Sequence, residues 1–148
     1  MIDERTTELL TRCLWSLQES TTSIEGLLLS HVDGLMLTST LQGKEKVERL
    51  AATTTAMYLL SEQTSKASQH GESREVFLKL SEGKPQHEAD VPAVRYVYIR
   101  PVGVDAVLVA VCRRDDLPDN FSRYLSKAIR YLDMVLDGGT PAMPRWID

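Results

Sequence analysis

Basic residues are not in excess in this chain: 17 Lys and Arg stand against 21 Asp and Glu, for a net charge of −4. The signs are mixed along the sequence, no basic stripe forms, and aromatic residues reach only 6%. The electrostatic and stacking footprint of a nucleic-acid binder is therefore missing. No apolar run approaches the roughly 18 residues that span a bilayer, and the N-terminal MIDERTTELL lacks the apolar centre of a signal peptide. Cysteine is scarce as well. Cys13 and Cys112 lie far apart, each inside an apolar pattern, which reads as two buried free thiols and points to a reducing, cytoplasmic setting. His31, His70 and His87 have no Cys, Asp or Glu at a CxxC-like or HxxxH-like spacing, so neither a metal nor a cofactor is expected. Gly26, Gly34, Gly43 and Gly83 form no GxGxxG or GxxxxGK[ST] pattern. Without a phosphate loop the chain does not read as a GTPase or ATPase itself. Asn120-Phe121-Ser122 is a glycosylation sequon, but without secretion it carries no meaning.

At 148 residues, with 43% apolar and 26% charged residues, the composition fits one compact domain. A core of that size needs no disulfide or metal staple. Asp3 is a good N-cap for a first helix whose buried side is Leu10, Cys13, Leu14 and Leu17. Ile24 to His31 and Leu35 to Ser39 read as strands joined at Asp33-Gly34, a tight hairpin signal. A long second helix opens at Gln42-Gly43 and runs to Gln69 or His70, with Gly71 suited to the left-handed position after it. Glu75 to Ser81 alternates as an outer antiparallel strand, with Val76, Leu78 and Leu80 on one face and Phe77 on the other.

Glu82 to Pro92 is a polar connecting loop, and a second hairpin follows, Val94 to Arg100 with Asp105 to Cys112. Ala106 to Cys112 is apolar throughout, as expected for a central strand covered on both faces. Pro118 suits the first turn of a third helix. Its stripe is Phe121, Leu125, Ala128, Ile129, Leu132, Val135 and Leu136, and Gly138-Gly139 stops it. The order α-β-β-α-β-β-β-α gives an α/β chain of the α+β type, an antiparallel sheet inside a three-layer α/β/α sandwich. The domain covers residues 1–137, and the tail 138–148 is expected to be irregular, with a disordered end favoured over the alternative that Trp146 docks back.

The long helix carries two apolar stripes. At about 100° per residue, Val47, Leu50, Ala51, Thr54 and Tyr58 fall together, with Ala52, Ala56, Leu59 and Leu60 roughly opposite. A helix lying on a sheet needs only one, so the second asks for a partner, and its small residues suit a closely approaching helix. The pattern does not say which stripe meets the sheet.

Chemistry is sparse by comparison. His31 beside Asp33 is a turn pair before it is an acid–base pair. Cys112 precedes Arg113 and Arg114, whose charges favour a thiolate, but its strand favours a core thiol. Arg113-Arg114-Asp115-Asp116 reads as a solvated loop before a helix N-terminus, with an arginine offered to a partner's nucleotide as the sharper alternative. Trp15, Tyr96 and Tyr98 are candidates to line a small-molecule pocket if the layers leave one.

Three segments taken in order resemble the Roadblock/dynein light chain family, in its prokaryotic, MglB-like branch. They are Ile24 to Leu35 (IEGLLLSHVDGL), Glu48 to Ala52 (ERLAA), and Tyr98 to Gly103 (YIRPVG) running into Ala106 to Val111 (AVLVAV). The likeness covers roughly Asp3 to Leu136. It implies a five-stranded antiparallel sheet with the long helix on one face and the terminal helices on the other. It also implies a dimer in which the long helices pack side by side and the third strands pair. Combined with the two-faced helix, this puts the dimer interface at Val47, Leu50, Ala51, Thr54, Thr55, Ala56, Met57, Tyr58 and Leu59, with Val76, Phe77 and Leu78 on the strand. Prokaryotic proteins of this kind often partner small Ras-like GTPases, and the family supplies no catalytic motif to carry over. The expected function is thus a non-enzymatic, dimeric regulator or scaffold that binds a small GTPase, as a homodimer or with a sister chain. The alternative is a small-molecule-sensing or scaffold domain without a GTPase partner.

Overall fold

In the computed structural model, which describes residues 2–81, 94–113 and 120–146, three helices enclose one sheet. Helix α1 spans Glu4–Glu19, strand β1 Ile24–His31, β2 Met36–Ser39, and helix α2 Lys44–Ser68. Strands β3 Val76–Ser81, β4 Val94–Val102 and β5 Ala106–Cys112 follow, then α3 Phe121–Leu136. The strands lie in the order β2-β1-β5-β4-β3, every neighbouring pair antiparallel. Polar loop Glu82–Pro92, the Pro118 helix start and the run Arg114 to Asp116 lie outside the described residues.

Local chemistry explains the boundaries. The Asp3 carboxylate accepts the Thr6 N–H at 2.7 Å, capping α1. That bond also holds the Asp3 pKa below the ordinary carboxylate value. Between β1 and β2, the Leu35 N–H donates to Asp33 Oδ1 at 2.9 Å, and Gly34 takes φ 94°, which a β-carbon would disfavour. Leu35 itself falls outside β2 and is exposed. Helix α2 ends at Ser68, close to the expected end, and the left-handed position after it is taken by Gln69, with φ 60°, ahead of Gly71. The Ser65 hydroxyl bonds to the Gly71 carbonyl, so the chain reverses early and Gly71, at φ 112°, completes the turn.

Strand β5 sits at the centre of the sheet. Ala106, Leu108 and Ala110 face the layer of α1 and α3, whereas Val107 and Val109 face α2. The larger core lies between the sheet and the terminal helices, around Leu10, Leu14, Leu27, Leu29, Leu125 and Leu132, all essentially buried. Tyr124 and Tyr131 join the α3 stripe here, wider than its Leu and Val pattern indicated. The smaller core, under α2, contains Leu28, Val97, Ile99 and Val107. In β1, a side chain at Gly26 would collide with Leu41, which fills the space a β-carbon would occupy.

The tail is irregular, and up to Trp146 it follows the alternative reading, in which that residue docks back. Trp146 is 9% exposed and its Nε1–H donates to Ser16 Oγ at 2.8 Å, so the segment returns to α1 at this residue. Burying an indole whose N–H finds a partner outweighs the ordering of the few residues that connect it to α3.

Candidate interaction surface

The structure decides which α2 stripe belongs to the chain's own core. Val47, Ala51, Thr54, Thr55 and Tyr58 are buried, facing Leu28, Val97, Ile99, Val107 and Val109. Three consecutive threonines survive in this helix because their hydroxyls are satisfied. Thr53 and Thr54 donate back to the carbonyls of Arg49 and Leu50 at 3.0 and 2.6 Å, and Thr55 Oγ1 lies 3.1 Å from Ser30 Oγ on β1. Those five buried residues were placed at the dimer interface from sequence. Their side chains are packed inside this chain, against the sheet.

Leu50 and Met57 sit half-buried on the flanks of the helix. Ala56 and Leu59 face outward together with Ala52 and Leu60, the last 60% exposed. Ala52 and Leu60 were read as part of the second stripe but not as interface residues. Their line, at steps of three and four along α2, is the one left uncovered.

Beside this stripe lies the edge strand β3. Its inner side pairs with β4 from Val76↔Ile99 to Ser81↔Val94, while among the described residues no strand pairs with its outer side. Val76 and Leu78 are half-buried towards α2, and Phe77 points to the opposite face. Hence these three share an edge, not a face. Phe77 remains 48% exposed although it stacks on Tyr96 at 5.6 Å and tilts against Tyr98 at 5.0 Å; Tyr98 in turn meets Phe121 at 5.2 Å. Lys79 and Ser81 are the polar guards of the edge.

Before the start of β3 an open groove of 990 Å³ runs between α2 and the β4–β5 turn, walled by Tyr58, Glu62, Lys66, Arg74, Arg100 and Val104. Arg100 is already engaged. Its Nε donates to Glu75 Oε1 at 2.7 Å and its Nη2 to Ser122 Oγ at 3.0 Å, tying β4 to the start of β3 and to α3.

The catalytic candidates resolve into structural roles. His31 Nδ1 lies 3.2 Å from the Asp33 N–H, which donates to it, and the Asp33 carboxylate is committed to Leu35. The bond from Leu35 is also the main cause of the lowered Asp33 pKa. Cys13 and Cys112 are fully buried, and burial pushes both thiols up to about 12. The adjacent Arg113 does not reverse this; its Nε lies 3.9 Å from Glu25 Oε2, the carboxylate that Arg95 approaches to 2.6 Å. Tyr96 and Tyr98 are packed beside Phe77 and Phe121, whereas Trp15 lies on the outer side of α1. Among the described residues no group of three or more His, Cys, Asp or Glu could hold a metal, and no helix is long and apolar enough to cross a membrane.

Five antiparallel strands with one helix on one face and two on the other are the Roadblock/LC7 fold, and this chain has it. By sequence it matches no family model and no curated protein. By structure it is similar to Myxococcus xanthus MglB, with a TM-score of 0.71 at 18% identity over 97% of this chain and 98% of that one. An MglB structure described as having a tetrameric arrangement gives 0.72 at 13% identity, covering 93% and 95% of the two chains. A Roadblock/LC7 domain from Streptomyces avermitilis gives 0.58 at 18% identity, covering 82% and 95%. Identities this low establish the shared fold.

Proposed function

We propose that this chain is a non-catalytic, dimeric regulatory protein that binds a small Ras-like GTPase. The observation that carries the reading is the uncovered stripe Ala52, Ala56, Leu59 and Leu60 lying beside the unpaired edge of β3. Two copies related by a two-fold axis would cover both features at once, helix against helix and edge against edge, because a self-complementary patch closes on itself. Small side chains at the middle of the stripe allow the helix axes to come close. The same chain is the simplest partner, and a sister chain of like fold is the alternative.

The GTPase rests on the Roadblock/LC7 fold and on the likeness to MglB. A protein of this kind acts on hydrolysis by ordering its partner's switch segments, not by supplying a reacting group. Purified chain is tested in pulldowns against Ras-like GTPases loaded with GDP or a non-hydrolysable GTP analogue. Capture that depends on nucleotide state supports the assignment, and no capture in any state removes it. Sedimentation of the chain alone tests dimer formation separately.

A further inference from the structure

Helix α3 is stopped at Gly138, with φ 93°, and the Gly139 N–H donates to the Met134 carbonyl at 2.9 Å. Among the described residues the backbone hydrogen bonds of the C-terminal segment end there. From 140 to 146 the chain forms no helix or strand and carries prolines at 141 and 144. Side chains hold it to the body. Met143 packs on the larger core, Lys127 Nζ donates to the Arg145 carbonyl at 2.6 Å, Trp146 donates to Ser16, and Tyr124 meets the indole edge-on at 6.4 Å. This is how a short proline-spaced peptide sits in a receptor groove, an aromatic anchor with a polar handle at one end and little entropy to lose.

The tail does not fill the groove. A cavity of 330 Å³ remains between Met143 and the α1 residues Thr11, Trp15 and Ser16, and Trp15 is 43% exposed there. The geometry points to a docking site: we propose that the α1–α3 groove binds a tryptophan-anchored peptide segment, is occupied in cis by the chain's own tail, and accepts a partner's segment of the same chemistry when the tail lifts. The surface lies across the sheet from α2, so it is independent of the dimer reading. A tail tethered by a few residues competes at an effective concentration on the order of millimolar. A partner therefore needs either tighter binding than the tail or a second contact elsewhere.

The test uses the full chain and a labelled peptide, TPAMPRWID, followed by fluorescence anisotropy. In Trp146→Ala the tail loses its anchor. The peptide is expected to bind this variant saturably and about tenfold or more tighter than it binds the wild-type chain. Peptide carrying the same Trp→Ala change is expected not to bind, and Ser16→Ala in the chain to weaken capture. Equal binding to variant and wild type, or no binding to a folded variant, overturns the proposal. So does loss of cooperative thermal unfolding in Trp146→Ala, which would make the tail a part of the core and not a docked segment.

Discussion

Ser30 Oγ on β1 and Thr55 Oγ1 on α2 lie 3.1 Å apart inside the smaller core. Ser30 Oγ is also 3.0 Å from the His31 carbonyl and 3.2 Å from that of Leu35. Its single proton goes to a carbonyl, which leaves Thr55 as the donor to Ser30. Ser30→Ala then strands the buried Thr55 hydroxyl and is expected to cost about 1–3 kcal/mol. Thr55→Val removes the donor while Ser30 keeps its carbonyl, and about 1 kcal/mol is expected. Replacing both should cost less than the sum of the two. Denaturant titration of the three variants closes the cycle, and simple additivity would show that the two hydroxyls do not interact.

The two apolar populations of this chain should respond differently to truncation. Leu125→Ala, deep between α3 and the sheet, removes fully packed atoms and is expected to destabilise by about 2–5 kcal/mol. Leu60→Ala, on the uncovered stripe of α2, should change the stability of the isolated protomer by no more than about 0.5 kcal/mol. The comparison is made by chemical unfolding at protein concentrations low enough to suppress association. A large loss from Leu60→Ala in the protomer would place that residue in the core.

Sequence showed most of the framework because periodicity reports which face of an element is buried. Strand β1 and the buried side of α1, Leu10, Cys13, Leu14 and Leu17, stand as read. The sheet-facing side of α2 was not legible, since both stripes are apolar. Only packing distinguishes Val47, Ala51 and Tyr58, which meet the sheet, from Ala52, Ala56 and Leu60, which do not. Tyr124 and Tyr131 escaped the α3 stripe because a tyrosine suits a surface as well as a core. For Trp146 the sequence offers docking back as an alternative but no partner for it. Its partner, Ser16, is 130 residues away in the chain, and sequence periodicity does not extend that far.

Both cysteines give a pH dependence with a definite sign. Burial raises the folded thiols from 9.0 to about 12, so between those values the unfolded chain has lost protons that the folded chain still holds. Stability is then full below about pH 9 and falls as pH rises towards 12, by up to about 1.4 kcal/mol per pH unit for each thiol. Tyr58, Tyr98 and Tyr131, also raised by burial, act in the same direction. Cys13→Ala/Cys112→Ala should flatten the alkaline limb of a stability-against-pH curve without abolishing it. At pH 8, a disulfide reagent should find neither thiol in the folded protein and both after denaturation. Rapid labelling of the native chain would contradict the burial.

Ala56→Glu separates the partner surface from the core more sharply than any change on the buried stripe. Ala56 is exposed in the protomer, while Ala51, on the opposite side of the same helix, is fully buried. A carboxylate at 56 has water around it until a second helix arrives, when it becomes an unpaired charge at a close contact. It is therefore expected to leave the far-ultraviolet dichroism and unfolding of the protomer intact and to weaken self-association tenfold or more, about 1.4 kcal/mol. Ala51→Glu drives the same charge into the layer beneath α2, and should prevent folding altogether. Sedimentation equilibrium with dichroism reads both variants. An unchanged association constant in folded Ala56→Glu would take the stripe out of the interface and leave the β3 edge as the surface to test next.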